Sequence, residues 1–234
     1  MPFFYYYDPT YILVLVGVIL SIVASARVNS TYNKYSKVRS ISGLTGAQAA
    51  ERILHNAGIY DVQVYHVRGN LTDHYDPRNK VLNLSDSVYG SNSVAAIGVA
   101  AHECGHAIQD AKHYAPLKLR SSIVQVANIG AKISIPLILF GILAGYFQPL
   151  ITIGIIAFSA SVIFQLVTLP VEFNASNRAL RILADTGILH GEEVNQSRKV
   201  LKAAALTYVA AAAASILQLL RLMILFGGRG RDRD

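Results

Sequence analysis

The run 102–106 reads His-Glu-Cys-Gly-His and carries the residue types that metal-dependent hydrolysis needs. Residues four positions apart lie on one face of an α-helix, so His102 and His106 can direct two nitrogens at one metal ion. Glu103 lies about 100° around the helix from His102, where its carboxylate can take a proton from a water molecule. The spacing therefore predicts a hydrolytic Zn²⁺ site with Glu103 as the general base.

The residues around this motif predict a long helix. Apolar and small residues fill 94–101 and continue at 107–108, and Ser91 or Ser93 can cap the start. Without a metal, the two histidines and the glutamate would be buried without partners, which is costly in free energy. Gly105 lowers helix propensity by about 1 kcal/mol relative to alanine, so we expect another element to pack closely there.

Four stretches are apolar enough to be membrane spans. The chain is 53% hydrophobic and 15% charged, and soluble domains are about 25% charged. Charged residues are absent from 11–26, 133–147 and 150–169, and 203–226 is a weaker fourth stretch. A bilayer core requires about 20 residues, and 123–130 lengthens the second stretch. The alternative is core helices of a soluble protein, which a chain of 234 residues does not need.

Lysine and arginine positions predict the orientation. The segment 1–10 contains neither residue, whereas four follow the first span between positions 27 and 39. The turn at 146–149 has none, and Arg178 and Arg181 follow the third span. We therefore expect a multi-pass plasma-membrane protein with its motif region on the cytoplasmic side. The net charge of +7 is assigned to the anionic membrane face, so no nucleic-acid partner is predicted.

An alternative is that the first stretch is a cleaved signal peptide. Ala24-Ser25-Ala26 resembles a signal-peptidase site, which would place the motif region outside the cell. The stretch lacks basic residues before it and begins with aromatic residues suited to a membrane interface. An uncleaved span is therefore the preferred interpretation.

Residues 27–122 are expected to form a small α+β domain. Thr45 and Gln48 form a capping-box pattern that predicts a helix ending near Asn56. The segments 62–67 and 80–85 have the patterns of two strands separated by turns. An exposed edge on the strand just before the motif helix could bind an extended peptide, and an ordinary packed hairpin is the alternative.

A catalytic zinc ion takes three protein ligands and keeps one position open. Glu172 is the favoured third ligand because it is the only acid in 151–173 and follows Pro170, which is expected to end the third span and start a new helix. The hairpin returns the chain to the same membrane face, so Glu172 can approach the motif. The other carboxylate candidates are Asp110, Asp185, Glu192 and Glu193. His55, His66, His74, His113 and His190 have no metal-like spacing to the histidine pair.

Three stretches carry a resemblance to a known family. They are HYDPRNKVLNLS at 74–85, AAHECGHAIQD at 100–110 and LPVEFNASNRAL at 169–180. They resemble the YugP-type neutral zinc metallopeptidases, which are membrane-bound bacterial proteins, and the likeness extends along nearly the whole chain. The order of motif helix, membrane hairpin and glutamate helix is more distantly similar to HtpX-like and CAAX-prenyl endopeptidases.

The resemblance implies zinc bound by His102, His106 and Glu172, with Glu103 as the general base. In the HtpX-like pattern the ligand glutamate is followed four residues later by an aspartate, and here that residue is Ser176. A carboxylate that holds a ligand imidazole must therefore come from elsewhere or be absent.

The predicted fold is a mostly α membrane protein with three to four transmembrane helices and a small α+β zincin-like catalytic domain of the gluzincin type. The expected segments are an N-terminal transmembrane helix at 1–26, the catalytic domain at 27–122, a transmembrane hairpin at 123–169, a helix with the third ligand at 170–200, and a transmembrane or interfacial helix with a basic tail at 201–234.

The predicted function is hydrolysis of peptide bonds in membrane or membrane-proximal proteins by a zinc metalloendopeptidase embedded in the lipid bilayer. The alternative is a zinc-stabilised, catalytically silent scaffold or regulatory partner. An oxyanion donor is also required. The candidates are His74, Arg178, His190 and Tyr208, and each also has a structural explanation.

Overall fold

The computed structural model describes residues 8–227, which fall into two compact units. The helical unit comprises 8–23, 120–167 and 208–227, and the sheet unit comprises 24–119 and 168–207. The described elements are α1 (Tyr11–Tyr35), α2 (Gly46–Asn56), β1 (Gln63–Val67), β2 (His74–Asp76), β3 (Val81–Ser85), α3 (Val94–Ala111), α4 (Ala115–Leu143), α5 (Gln148–Asp185) and α6 (Glu192–Phe226).

The three strands of the sheet unit are arranged in the order β1-β3-β2. β1 pairs with β3 in parallel, from Gln63 opposite Val81 to Val67 opposite Ser85. β2 pairs with β3 antiparallel across a tight turn, in which Lys80 has a φ of 54°. The two strands predicted at 62–67 and 80–85 therefore form, as β1 and β3. The alternative of an ordinary hairpin between them is wrong, because they pair in parallel and β2 forms where only a turn was expected. The strand just before α3 is central, and the free edges belong to β1 and β2.

Apolar side chains from α2, β3 and α3 form the core of the sheet unit. Ile53, Leu82 and Ile97, one from each element, are fully buried, and Leu183 and Leu189 add the last turn of α5 and the segment after it. The capping box of α2 is confirmed, since its two side chains exchange hydrogen bonds with each other's backbone N–H groups.

The motif helix α3 forms as predicted. Ser93 is its N-cap, and the serine hydroxyl accepts a hydrogen bond from the Ala96 N–H. A Cβ atom at Gly105 would lie 2.6 Å from the carbonyl oxygen of Ala175 on α5. The expected close packing at Gly105 is therefore confirmed, and α5 is the helix that packs against α3 there.

Helix α5 continues through Pro170 without a break. The proline removes the backbone N–H that would bond to the carbonyl of Leu166, but the helix retains its bonds on both sides. The expected end of a helix at 169 and start of another at 170 is therefore wrong. Glu172 lies on the same helix as the third apolar stretch, with 148–167 in the helical unit and 168–185 in the sheet unit.

Within residues 8–227, four helices are long and apolar enough to cross a membrane: α1, α4, α5 and α6. Large apolar side chains on these helices, such as Ile22, Phe140 and Ile156, are more than half exposed. Hydrocarbon is the environment in which such surfaces are stable. The chain is therefore a membrane protein.

Side-chain contacts in the helical unit join the end of α6 to the starts of α1 and α5. The Arg221 guanidinium lies 3.0 Å from the Asp8 carboxylate and 4.2 Å from the centre of the Tyr11 ring. The Gln148 amide donates a hydrogen bond of 2.9 Å to the Phe226 carbonyl. In this unit α6 therefore runs antiparallel to α1 and α5, which favours a complete span over an interfacial helix.

This arrangement predicts that cysteines introduced at Thr10, Ala144 and Phe226 react from the same side of a sealed vesicle. The native Cys104 contributes no background because it is fully buried, and burial raises the pKa of its thiol. The measurement is labelling by a membrane-impermeant maleimide, with permeabilised vesicles as the control. Labelling of the Phe226→Cys variant from the side opposite to Ala144→Cys would contradict a complete α6 span.

Candidate metal centre

Three metal-ligating side chains of the sheet unit converge. His102 and His106 come from α3 and Glu172 comes from α5, and one donor atom from each lies within 4.8 Å of the others. Glu172 Oε2 is 3.2 Å from His102 Nε2 and 3.5 Å from His106 Nε2. In the part of the chain that the structure describes, this is the one such cluster of His, Cys, Asp or Glu side chains.

The spacing of these donors fits a zinc ion. Zinc lies about 2.0–2.2 Å from nitrogen and oxygen ligands, so two ligands at a tetrahedral angle are about 3.3 Å apart. The two nitrogen–oxygen distances, 3.2 and 3.5 Å, bracket this value. Two imidazoles and a carboxylate suit zinc, although other divalent ions accept the same donors.

Each imidazole has a neutral partner at its other nitrogen. The Ser176 hydroxyl lies 3.1 Å from His102 Nδ1, and the Gln109 side-chain oxygen lies 3.0 Å from His106 Nδ1. The sequence had left open a carboxylate in these roles, and the structure has a hydroxyl and an amide instead. Both Nε2 atoms therefore face Glu172, as metal binding requires.

The environment of His106 also favours positive charge. Burial alone would lower the pKa of its imidazole, but the Glu172 carboxylate and the nearby charge of Glu103 outweigh burial and raise that pKa above the usual value. A cation at His106 Nε2 is thus stabilised by its surroundings, whether it is a proton or a metal ion.

Glu103 is buried beside the cluster, and its carboxylate is held by β2. Its Oε2 accepts a hydrogen bond of 3.0 Å from the Tyr75 backbone N–H. The Tyr75 hydroxyl donates to Asp110 on α3 at 2.9 Å, and Lys80 lies 2.6 Å from the same carboxylate oxygen. Burial and the adjacent Asp110 carboxylate raise the pKa of Tyr75, so its hydroxyl stays protonated and continues to donate.

Other candidate ligands have different partners. Asp110 binds Tyr75 and Lys80, and the carboxylate of Glu193 accepts hydrogen bonds from the backbone of Ile41 and His190. Asp185 and Glu192 are exposed. None of these four carboxylates belongs to the described cluster.

The oxyanion candidates lie in different places. The His74 ring lies between Thr72 and Asn83, and because Tyr75 reaches α3, its neighbour His74 faces the other side of the sheet. Arg178 donates to the side chain of the residue one turn before it. His190 is exposed near the start of α6, and Tyr208 belongs to the helical unit.

Two residues that the sequence did not single out, Tyr75 and Gln109, contact side chains of the candidate site. Tyr75 fixes Glu103, and Gln109 fixes His106. Gln109 had a detectable signal, because it lies three residues after His106 on the same helix face. Tyr75 had no such signal in the sequence, since its hydrogen bond to Glu103 is made by the backbone N–H.

The close approach of α3 to α5 predicts that Gly105→Ala weakens zinc binding by at least about tenfold. The added methyl group would meet the Ala175 carbonyl oxygen at 2.6 Å and push the histidines away from Glu172. Overpacking of this kind also costs about 1–3 kcal/mol of stability. The measurement is zinc affinity by competition with a chelator. Gly90→Ala is the matched control because a Cβ there meets nothing within 4 Å, and equal affinity of the two variants would refute the predicted effect.

Comparisons with known proteins identify the family of this chain. Residues 10–227 match the family model described as "Putative neutral zinc metallopeptidase". The chain is also 51% identical over 215 residues to "Putative membrane protease YugP" of Bacillus subtilis (strain 168), which covers 92% of this chain and 95% of that protein. No solved structure is significantly similar to this chain. The resemblance stated from the three sequence stretches is thus confirmed, and the chain belongs to this family of membrane-bound neutral zinc metallopeptidases.

Proposed function

We propose that this protein is a zinc metalloendopeptidase that cleaves membrane or membrane-proximal proteins. His102, His106 and Glu172 are the zinc ligands, and Glu103 is the general base. The observation that carries the proposal is the convergence of three donor atoms within 4.8 Å, with the Glu103 carboxylate held beside them. A scaffold protein would not need that second carboxylate.

The chain's own residues supply the proton transfers. A zinc ion held by the three ligands would polarise the scissile carbonyl and make a water molecule more acidic. Glu103 accepts the proton of that water and delivers it to the departing amine. The Tyr75 N–H donates to this carboxylate and fixes its direction beside the proposed ligands.

The sheet edge at β2 is the proposed site for the peptide. β2 pairs with β3 on one side only, and the Tyr75 N–H on its other side points to Glu103. An extended peptide added along this edge would have its backbone beside the general base and the zinc ligands. The predicted substrate edge therefore moves from the strand before α3 to β2.

The proposed orientation places the sheet unit on the cytoplasmic side of the plasma membrane. The distribution of lysine and arginine around the spans supports it, and the relative from Bacillus subtilis is named a membrane protease. Substrates are accordingly proteins in or near the bilayer.

The general-base role predicts that Glu103→Gln lowers cleavage of a fluorescent casein substrate by about 10²- to 10⁴-fold. Zinc content and fold are retained, because residue 103 is not a ligand and the glutamine oxygen still accepts the Tyr75 N–H. The measurements are initial cleavage rate and bound zinc per chain. Glu51→Gln, an exposed position on α2, is the matched control. Unchanged cleavage by the Glu103→Gln variant would refute the role, and zinc-loaded wild type without cleavage would favour the scaffold.

The third-ligand role predicts that Glu172→Ala binds no zinc under conditions in which wild type binds one ion. Two imidazoles alone leave the ion without its charged ligand and with an extra open position. The measurement is zinc content after dialysis against a weak chelator, with circular dichroism to check the helical fold. Glu192→Ala removes an exposed carboxylate and is the control. A folded Glu172→Ala variant with one bound zinc ion would overturn the assignment.

A further inference from the structure

One fully buried amide connects two elements that carry the ligands. The Gln109 side chain has 0% exposure. Its Nε2 donates to the Val171 carbonyl at 2.8 Å and to the Asn174 side-chain oxygen at 3.0 Å. Its Oε1 lies 3.0 Å from His106 Nδ1. Gln109 thus contacts His106 directly and the backbone carbonyl of the residue before Glu172.

The orientation of this amide follows from its partners. The carbonyl oxygen of Val171 can only accept, so the NH₂ group of Gln109 must face it. The amide oxygen therefore faces His106 Nδ1, and that nitrogen must carry a hydrogen to donate. In the neutral imidazole, which is the form that binds a metal, the lone pair is then left on Nε2, the atom that faces Glu172.

A second contact fixes the same orientation from the other end. Arg178 Nε lies 2.6 Å from the Asn174 side-chain oxygen. An arginine has only donors, so Asn174 must turn its oxygen toward Arg178, and the same oxygen accepts from Gln109. The guanidinium also lies 5.9 Å from the centre of the Tyr114 ring, which supports its position. Arg178 is thus engaged in this network.

The other ligand imidazole has no such constraint. The partner of His102 Nδ1 is the Ser176 hydroxyl, which can either donate or accept. This hydroxyl is compatible with both tautomers of His102. The two histidines therefore differ at Nδ1: the partner of His106 requires a hydrogen on that nitrogen, and the partner of His102 does not.

We propose that Arg178, Asn174 and Gln109 form a polar relay that holds the proton of His106 on Nδ1 and presents Nε2 to the metal. The Gln109 amide also connects the His106 imidazole to the backbone carbonyl next to Glu172. One amide therefore helps to fix the positions of both ligands. The three residues are positioning residues and touch neither metal nor substrate. The inference rests on the proposed function in that it takes His106 and Glu172 as zinc ligands.

The test uses the full-length protein in detergent, with zinc affinity measured by competition with a chromophoric chelator. Gln109→Leu removes all three contacts, and Gln109→Glu keeps an acceptor for His106 but turns an oxygen toward two other acceptors. Both are expected to bind zinc about 10- to 100-fold more weakly. Gln63→Glu is the matched control, because Gln63 is exposed and its oxygen accepts from Tyr65, as a glutamate would.

A second pair of variants tests the relay at its middle residue. Asn174→Asp keeps the oxygen that accepts from Gln109 and Arg178 and is expected to retain wild-type zinc affinity, whereas Asn174→Leu is expected to lose it. The Arg178→Lys variant can still donate a hydrogen bond to Asn174, so it should bind zinc more tightly than the Arg178→Met variant. Ser176→Ala is expected to have a smaller effect than Gln109→Leu. The two Asn174 variants keep the proposal testable if the Gln109 variants fail to fold.

A spectroscopic readout separates positioning from general stability. Cobalt-loaded Gln109→Leu and Asn174→Leu should show altered visible absorption bands, and Asn174→Asp should match wild type. Wild-type zinc affinity and cobalt spectra in both folded leucine variants would overturn the relay. Weakened zinc binding in those variants, with no peptide cleavage by zinc-loaded wild type, would support the relay and overturn only the peptidase function. A wild type that binds no zinc would overturn both.

Discussion

The close contact between α3 and α5 at Gly105 is the constraint on which the site depends. A side chain at this position would meet the Ala175 carbonyl, and the helix axes could not approach as they do. His102 and His106 flank the glycine on one helix, and Glu172 lies one turn before the alanine on the other. The distances of 3.2 and 3.5 Å between donors are thus a consequence of backbone packing.

The sheet contributes a second, independent support. Tyr75 uses its backbone to hold Glu103 and its hydroxyl to bind Asp110, so β2 is attached to α3 within the motif and one turn after it. The proposed ligands are held by helix packing, and the proposed base is held by a strand edge. Separate elements can therefore fix the metal geometry and the direction of the base, as preorganised sites require.

Local patterns predicted the helices well, and contacts distant in sequence were harder to predict. The capping pattern of α2 and the serine cap of α3 are local, and both are observed. β2 has three residues inside a run rich in turn formers, and its pairing depends on packing against α3 that no local pattern contains. Pro170 predicted a helix end, but α5 packs closely against other helices at Ala157 and Ala175, on either side of the proline, and is continuous. Gln109 is uncharged, so the expectation of a carboxylate beside the two histidines did not indicate it.

The neutral partners of the two imidazoles determine the charge of the site. Ser176 and Gln109 add no charge, so the proposed ligand set carries a single negative charge, from Glu172. With a divalent cation and an ionised Glu103, the formal sum is zero, which a buried pocket tolerates. In the proposed mechanism, Glu103 takes up a proton as negative charge develops on the substrate oxygen, so the formal sum of the site's own groups would then be positive. The pocket would therefore stabilise a negative substrate oxygen more strongly after Glu103 is protonated than before.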